Sequence, residues 1–165
     1  MMQPSPDTSR YSAAQYRSIL QTVGVVLSFT KGVSMRPLIR QGTHYVAVVP
    51  LEGEPQVDDL LLFEQCRPAG TACVLHRLIA VEGDTYITRG DNCLGCERIR
   101  REDIIGRVSH IYRVGQQEGM SVSHPAYLRY VRLWTALWPL RRPLYWMRGV
   151  AYGTMRRLRS LFRKS

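Results

Sequence analysis

The chain has 165 residues, 45% hydrophobic and 22% charged, which supplies one domain's worth of core and excludes a disordered polymer. Its net charge of +10 is uneven: residues 1–118 carry 13 Lys/Arg and 13 Asp/Glu, whereas residues 119–165 carry 10 Lys/Arg and no acidic residue. A neutral body is followed by a basic tail, so charge alone does not make the whole chain a nucleic-acid binder.

From Ser12 to about Val23, Tyr16, Ile19, Leu20 and Val23 recur at helical spacing, with Asp7, Thr8 or Ser9 as candidate caps. Gly24 opens the β-branched stretch Val25 to Phe29, and a turn-like segment, KGVSMRP, occupies residues 31–37. Strands are predicted at Tyr45–Val49, Leu60–Glu64, Cys73–Val81, Tyr86–Thr88 and Ile104–Val114, bounded by glycine- and proline-rich turns. Connections this short leave no room for crossover helices, so the sheet is expected to be antiparallel and partly closed.

After Gly119 the texture becomes helical. Pro125 suits a first turn, with Ser123 or His124 ahead of it, and Tyr127, Val131, Trp134 and Trp138 form one apolar stripe ended by Pro139. A second helix is predicted from Pro143, with Met147, Ala151, Met155, Leu158 and Phe162 on one stripe. Arg148, Tyr152, Arg156, Arg159 and Arg163 run beside it. The organisation read from these patterns is an N-terminal segment with a short helix (1–24), a β domain (25–118) and a basic amphipathic helical tail (119–165).

Serine attack on an amide needs a hydroxyl at a sharp turn, a base in reach and donors for the oxyanion. Ser34, in Gly32-Val33-Ser34-Met35-Arg36-Pro37, is the best-placed serine, although most turn serines are only turn residues. Of 23 basic residues only Lys31 and Lys164 are lysines, and arginine does not deprotonate, so a lysine base is poorly provided for. Among His44, His76, His110 and His124, His76 stands out within the apolar run Cys73 to Ile79, where a polar ring needs a partner. The bland alternative is a sheet histidine satisfied by backbone. Asp91, in Arg89-Gly90-Asp91-Asn92, is a candidate third member or an ordinary turn aspartate.

The ordered set SMRP (34–37), LHR (75–77), RGDN (89–92) and IIGRV (104–108) resembles the signal peptidase I family. The likeness is greater to the archaeal and endoplasmic-reticulum type, whose boxes read S-M-x-P, H-R, G-D-N and I-x-G-[KR]-V. It covers about residues 30–114. The resemblance implies a mainly β fold of the signal-peptidase and LexA type and a serine endopeptidase that cleaves a signal or leader peptide from a precursor. It assigns Ser34 as nucleophile, His76 as general base and Asp91 to the G-D-N position. The family's further aspartate, six residues after the G-D-N aspartate, is Glu97 here, so either Asp91 or Glu97 is left to orient His76. Thr43 and Asp58 also replace the aspartate and glycine of two G-D turns. A LexA-type repressor would need a lysine base and a DNA-binding domain ahead of the catalytic one.

No segment reaches the about 17–25 apolar residues of a membrane-crossing helix, and MMQPSPDTSR does not read as a signal peptide. The expectation is a cytoplasmic protein, peripheral on the inner face of the membrane. The tail fits an anionic membrane surface through residues 125–164 better than nucleic acid, for which no helix-turn-helix or zinc-finger pattern is present. The alternative function is a degenerate peptidase module that binds a membrane or partner by this tail. Cys66, Cys73, Cys93 and Cys96 read as small, partly buried residues or a local disulfide rather than a zinc set, and no cofactor is expected.

Overall fold

The computed structural model describes residues 11–68, 70–143 and 147. Helix α1 spans Ala13–Val23. Its cap is Ser12, not a residue of 7–9, which lie outside the described residues. The Ser12 hydroxyl accepts the Gln15 N–H at 3.3 Å while the Ser12 N–H donates to Gln15 Oε1 at 2.8 Å, a reciprocal capping box. Gly24, at φ 80°, ends the helix by returning its N–H to the Leu20 carbonyl.

Eight strands follow among the described residues: β1 Val26–Phe29, β2 His44–Val49, β3 Leu60–Arg67, β4 Gly70–Glu82, β5 Thr85–Arg89, β6 Glu97–Arg100, β7 Ile104–Arg113 and β8 Met120–Ser121. They form one antiparallel sheet in the order β1-β2-β7-β3-β4-β5-β6, with β8 also paired to β7. The mainly β, antiparallel expectation therefore holds. No pairing among the described residues joins the two ends of the path, β1 and β6.

The register explains why a polar site forms on a core face. Side chains alternate along a strand, so residues two apart share a face and directly paired residues share it too. Leu61 pairs with His76, Phe63 with Val74, Leu78 with Thr88, and Thr88 with Glu97. His76 and Glu97 thus lie on the face that carries the core residues Leu61, Phe63, Val74 and Leu78. Arg77 and Arg89, paired with one another, lie on the other face.

Helix α1 is tied to this sheet by polar and steric fit. The Tyr16 and Ser28 hydroxyls share a buried hydrogen bond of 2.6 Å, and the Arg17 guanidinium donates to the Ile104 and Glu102 carbonyls. Gly106 of β7 has no room for a side chain: a Cβ there would lie 2.5 Å from the Val49 carbonyl oxygen and 3.1 Å from Leu20.

Helix α2 spans Pro125–Ala136, with His124 Nδ1 accepting the Ala126 N–H ahead of it. The chain divides into two compact units, residues 1–128 and 129–165, the division falling inside α2. Of the predicted second helix, only Pro143 and Met147 are among the described residues. No helix among the described residues is long and apolar enough to cross a membrane.

Candidate active site

His76 is 5% exposed, near the middle of β4, in a T-shaped contact with the Phe63 ring. A buried imidazole needs a polar partner, and Glu97 provides it: Nδ1 and Oε2 are 2.8 Å apart. Between them in the sheet runs β5, whose fully buried Thr88 donates to the same Glu97 oxygen at 3.4 Å. With an ionised carboxylate on Nδ1 the proton belongs on that nitrogen, which leaves the Nε2 lone pair to act as acceptor.

Nε2 is directed to the turn that follows β5. A Cβ built on the buried Gly90 would lie 2.9 Å from His76 Nε2, 2.8 Å from the Ser34 carbonyl oxygen and 2.8 Å from Cys93 Sγ. His76, the Ser34 backbone and Cys93 therefore close in on Gly90 so tightly that no side chain fits there. The Ser34 turn is also pinned to this segment by hydrogen bonds. The Ser34 carbonyl accepts the Asn92 N–H at 2.7 Å, and the Val33 carbonyl accepts Asn92 Nδ2 at 3.1 Å. Within the turn, Gly32 stands at φ 92° with its N–H on Gln41 Oε1, and the Arg36–Pro37 peptide is cis. Ser34 itself is half-buried. Neither its hydroxyl nor its N–H has a hydrogen-bond partner among the described residues.

Asp91 is engaged differently. Its two carboxylate oxygens accept Nε and Nη2 of Arg77, each at 2.9 Å, and both side chains are 3% exposed. Arg77 Nη1 donates further to the Asp58 carbonyl and to the Tyr127 hydroxyl, each at 3.0 Å. Burial pulls the Arg77 guanidinium toward deprotonation, but the hydrogen bonds and charge of Asp91, with Tyr127 behind them, more than reverse it, so its pKa is raised. Burial likewise raises the Tyr127 phenol despite the nearby guanidinium. The turn 90–92 thus serves both faces of the sheet: Gly90 abuts His76 on one, and Asp91 is clamped by Arg77 on the other.

The four sequence candidates fall into two groups. His76, with Glu97 on its Nδ1, meets the Ser34 backbone carbonyl at Gly90, whereas Asp91 braces the turn that docks Ser34. Arg77 and Tyr127 were not singled out as site residues. An arginine inside an apolar strand is the signal that could have found them, because a buried guanidinium demands acceptors.

The other candidates have local duties. His44 Nδ1 contacts the Thr43 hydroxyl at 2.9 Å, and burial holds its pKa below the ordinary imidazole range. His110 Nδ1 meets Ser109 Oγ, and His124 caps α2. All four cysteines are free thiols, so the local disulfide considered above is not formed. No group of three or more His, Cys, Asp or Glu among the described residues is arranged to hold a metal. Comparison with protein-family models, with curated proteins and with solved structures finds no match.

Proposed function

We propose that this chain is a serine endopeptidase resembling signal peptidase I, in which Ser34 is the nucleophile, His76 the general base and Glu97 the residue that orients the imidazole. The observation that carries the reading is the 2.8 Å contact of Glu97 with His76 Nδ1, with Nε2 packed at Gly90 next to the Ser34 backbone carbonyl. The Ser34 hydroxyl and N–H, without a hydrogen-bond partner among the described residues, add to it.

In this mechanism Ser34 Oγ attacks the scissile carbonyl carbon as Nε2 takes the hydroxyl proton, which requires the two to come within hydrogen-bond reach in the substrate complex. The Ser34 N–H donates to the developing oxyanion. His76 then gives its proton to the leaving amine, and water, activated by the same nitrogen, releases the acyl group from Ser34. Glu97 stabilises the imidazolium of both steps. The substrate is an extended segment of a protein or peptide precursor, a signal or leader peptide with a small residue before the cut. It is added to the sheet as a further strand.

The test compares new N-termini by mass spectrometry in cells carrying the natural chain, Ser34→Ala or His76→Ala. Termini lost in both variants support the reading and give the cleaved sequence. Unchanged termini with both variants folded and expressed would overturn it.

A further inference from the structure

We propose that Leu133, Leu137 and Leu140 form the insertion face of an interfacial helix that docks this chain on an anionic lipid surface. The proposal is independent of the peptidase reading.

The chain turns at Leu137 and is helical again over 138–143, and the backbone bonds Leu137 N–H to Leu133 carbonyl and Arg141 N–H to Leu137 carbonyl, each 3.0 Å, carry the helical course across that turn. Spacings of four and three residues put the three leucines on one face. That face is well round the helix from Tyr127 and Val131, the start of the apolar stripe expected from sequence. It is turned to water: Leu133 is 65% exposed and Leu140 69%, with Leu137 also exposed. Three leucines so presented are unusual for a helix whose apolar residues serve only its own core.

The groups flanking the face identify the partner. On one side of the helical wheel stand the exposed Arg129 and Arg132; on the other stand Trp134 and Arg141. The Arg141 guanidinium lies 3.4 Å from the Trp134 ring centroid and 5.5 Å from that of Trp138, and donates to the Trp134 carbonyl at 2.8 Å. An indole stacked with a guanidinium beside an apolar face matches the polar–apolar boundary of a bilayer, where the ring sits at headgroup level and the cation meets phosphate. Between residues 119 and 165 there are ten basic residues and no acidic one, so nothing there repels an anionic surface. A duplex nucleic acid would use the charge but leave the leucines wet.

The experiment is flotation of the full chain with phosphatidylcholine vesicles and with vesicles of equal parts phosphatidylglycerol and phosphatidylcholine, at low and high salt. The expected result is flotation with phosphatidylglycerol, weakened by salt, accompanied by a blue shift of tryptophan emission. Leu133→Glu with Leu140→Glu should lower vesicle binding by about tenfold or more, whereas Arg129→Gln with Arg132→Gln should lower it chiefly on the anionic vesicles. Leu133→Gln, with circular dichroism, is the parallel variant should the double glutamate exchange disturb folding. Absence of flotation would overturn the proposal, as would flotation equal on both vesicle types or unchanged by every leucine variant. Binding of a duplex oligonucleotide without vesicle binding, or a leucine-dependent change in oligomer size instead, would equally overturn it.

Discussion

Glu97 and His76 meet at 2.8 Å although 21 residues and an intervening strand separate them in sequence. The pairing of Thr88 with both Leu78 and Glu97 puts all of these on one face, and the glutamate's length lets it reach back over β5 to the imidazole. Glu97→Gln keeps a hydrogen-bonding group there but removes the charge that stabilises the imidazolium. We expect cleavage to fall by about 10²- to 10⁴-fold, with urea unfolding altered far less. Glu97→Asp should retain part of the activity. Kinetics on the precursor peptide identified from lost N-termini measure both.

Arg77 and Asp91 form a second buried pair whose role is to hold the 90–92 turn in place. Asp91→Ala leaves a guanidinium buried without its carboxylate, and we expect a loss of about 3–5 kcal/mol. Tyr127→Phe removes one neutral acceptor from the same guanidinium and should cost about 1–2 kcal/mol. Urea denaturation separates the two, and the much smaller effect of the tyrosine exchange is the point at issue. Equal losses would mean that the carboxylate does not carry the clamp.

What the sequence made legible follows the length and regularity of each element. The long apolar runs of β3, β4 and β7 mark themselves, as does the 3.6-residue spacing of α1. Strand β6 does not: Glu97-Arg98-Ile99-Arg100 alternates inward and outward, but it is only four residues long and follows a glycine-containing CLGC segment. Because Glu97 rides on that strand, its contact with His76 depends on a register that no local pattern specifies. Ser34 and His76 were legible as an exposed-turn serine and a polar ring in an apolar run. The division of labour between Asp91 and Glu97 was not, since it depends on which face of the sheet each reaches. Tyr127 was hidden differently: at helical spacing with Val131 it reads as plain core, and only its hydroxyl on Arg77 reveals the polar duty.

Asp58 occupies the left-handed region at φ 81°, the only described non-glycine residue with positive φ. Its backbone is held there from both ends. Its N–H donates to the Leu78 carbonyl at 2.8 Å, and its carbonyl accepts Arg77. Glycine adopts this conformation without the Cβ clash and keeps both hydrogen bonds. Asp58→Gly should therefore stabilise the chain by about 0.5–1 kcal/mol, whereas Asp58→Ala should not, as read from urea midpoints.

Gly90 is constrained by space rather than by backbone angle. A methyl group there would stand 2.8 Å from the Ser34 carbonyl oxygen, a backbone atom that cannot turn aside, and 2.9 Å from His76 Nε2. Gly90→Ala must push the Ser34 turn and the histidine apart. We expect cleavage to fall by at least about tenfold, because displacement of reacting groups by even 1 Å is costly. The overpacking itself should cost about 1–3 kcal/mol in urea unfolding. Activity retained alongside that destabilisation would show that the close packing at Gly90 is not part of the reacting geometry.

Cys93 packs against Gly90 as well, and its chemistry reports on that contact. Burial raises the thiol pKa above its ordinary value, and the negative charges of Glu97 and Asp91 raise it further against the smaller opposing pull of Arg89. A raised pKa means less thiolate at any given pH, and the thiolate is the species that alkylates. Iodoacetamide should therefore label the exposed Cys66 and Cys96 before Cys93 near neutral pH. The Cys93 rate should go on climbing at alkaline pH after an ordinary thiol has levelled off. An acetamide group on Cys93 has no room at Gly90 and would push His76 or the Ser34 turn aside, so loss of cleavage should follow Cys93 modification and not that of Cys66 or Cys96. Peptide mass spectrometry alongside the cleavage assay gives both time courses. Cys93→Ser should protect activity at the pH where the natural chain is inactivated, and inactivation at an unchanged rate in that variant would place the sensitive thiol elsewhere.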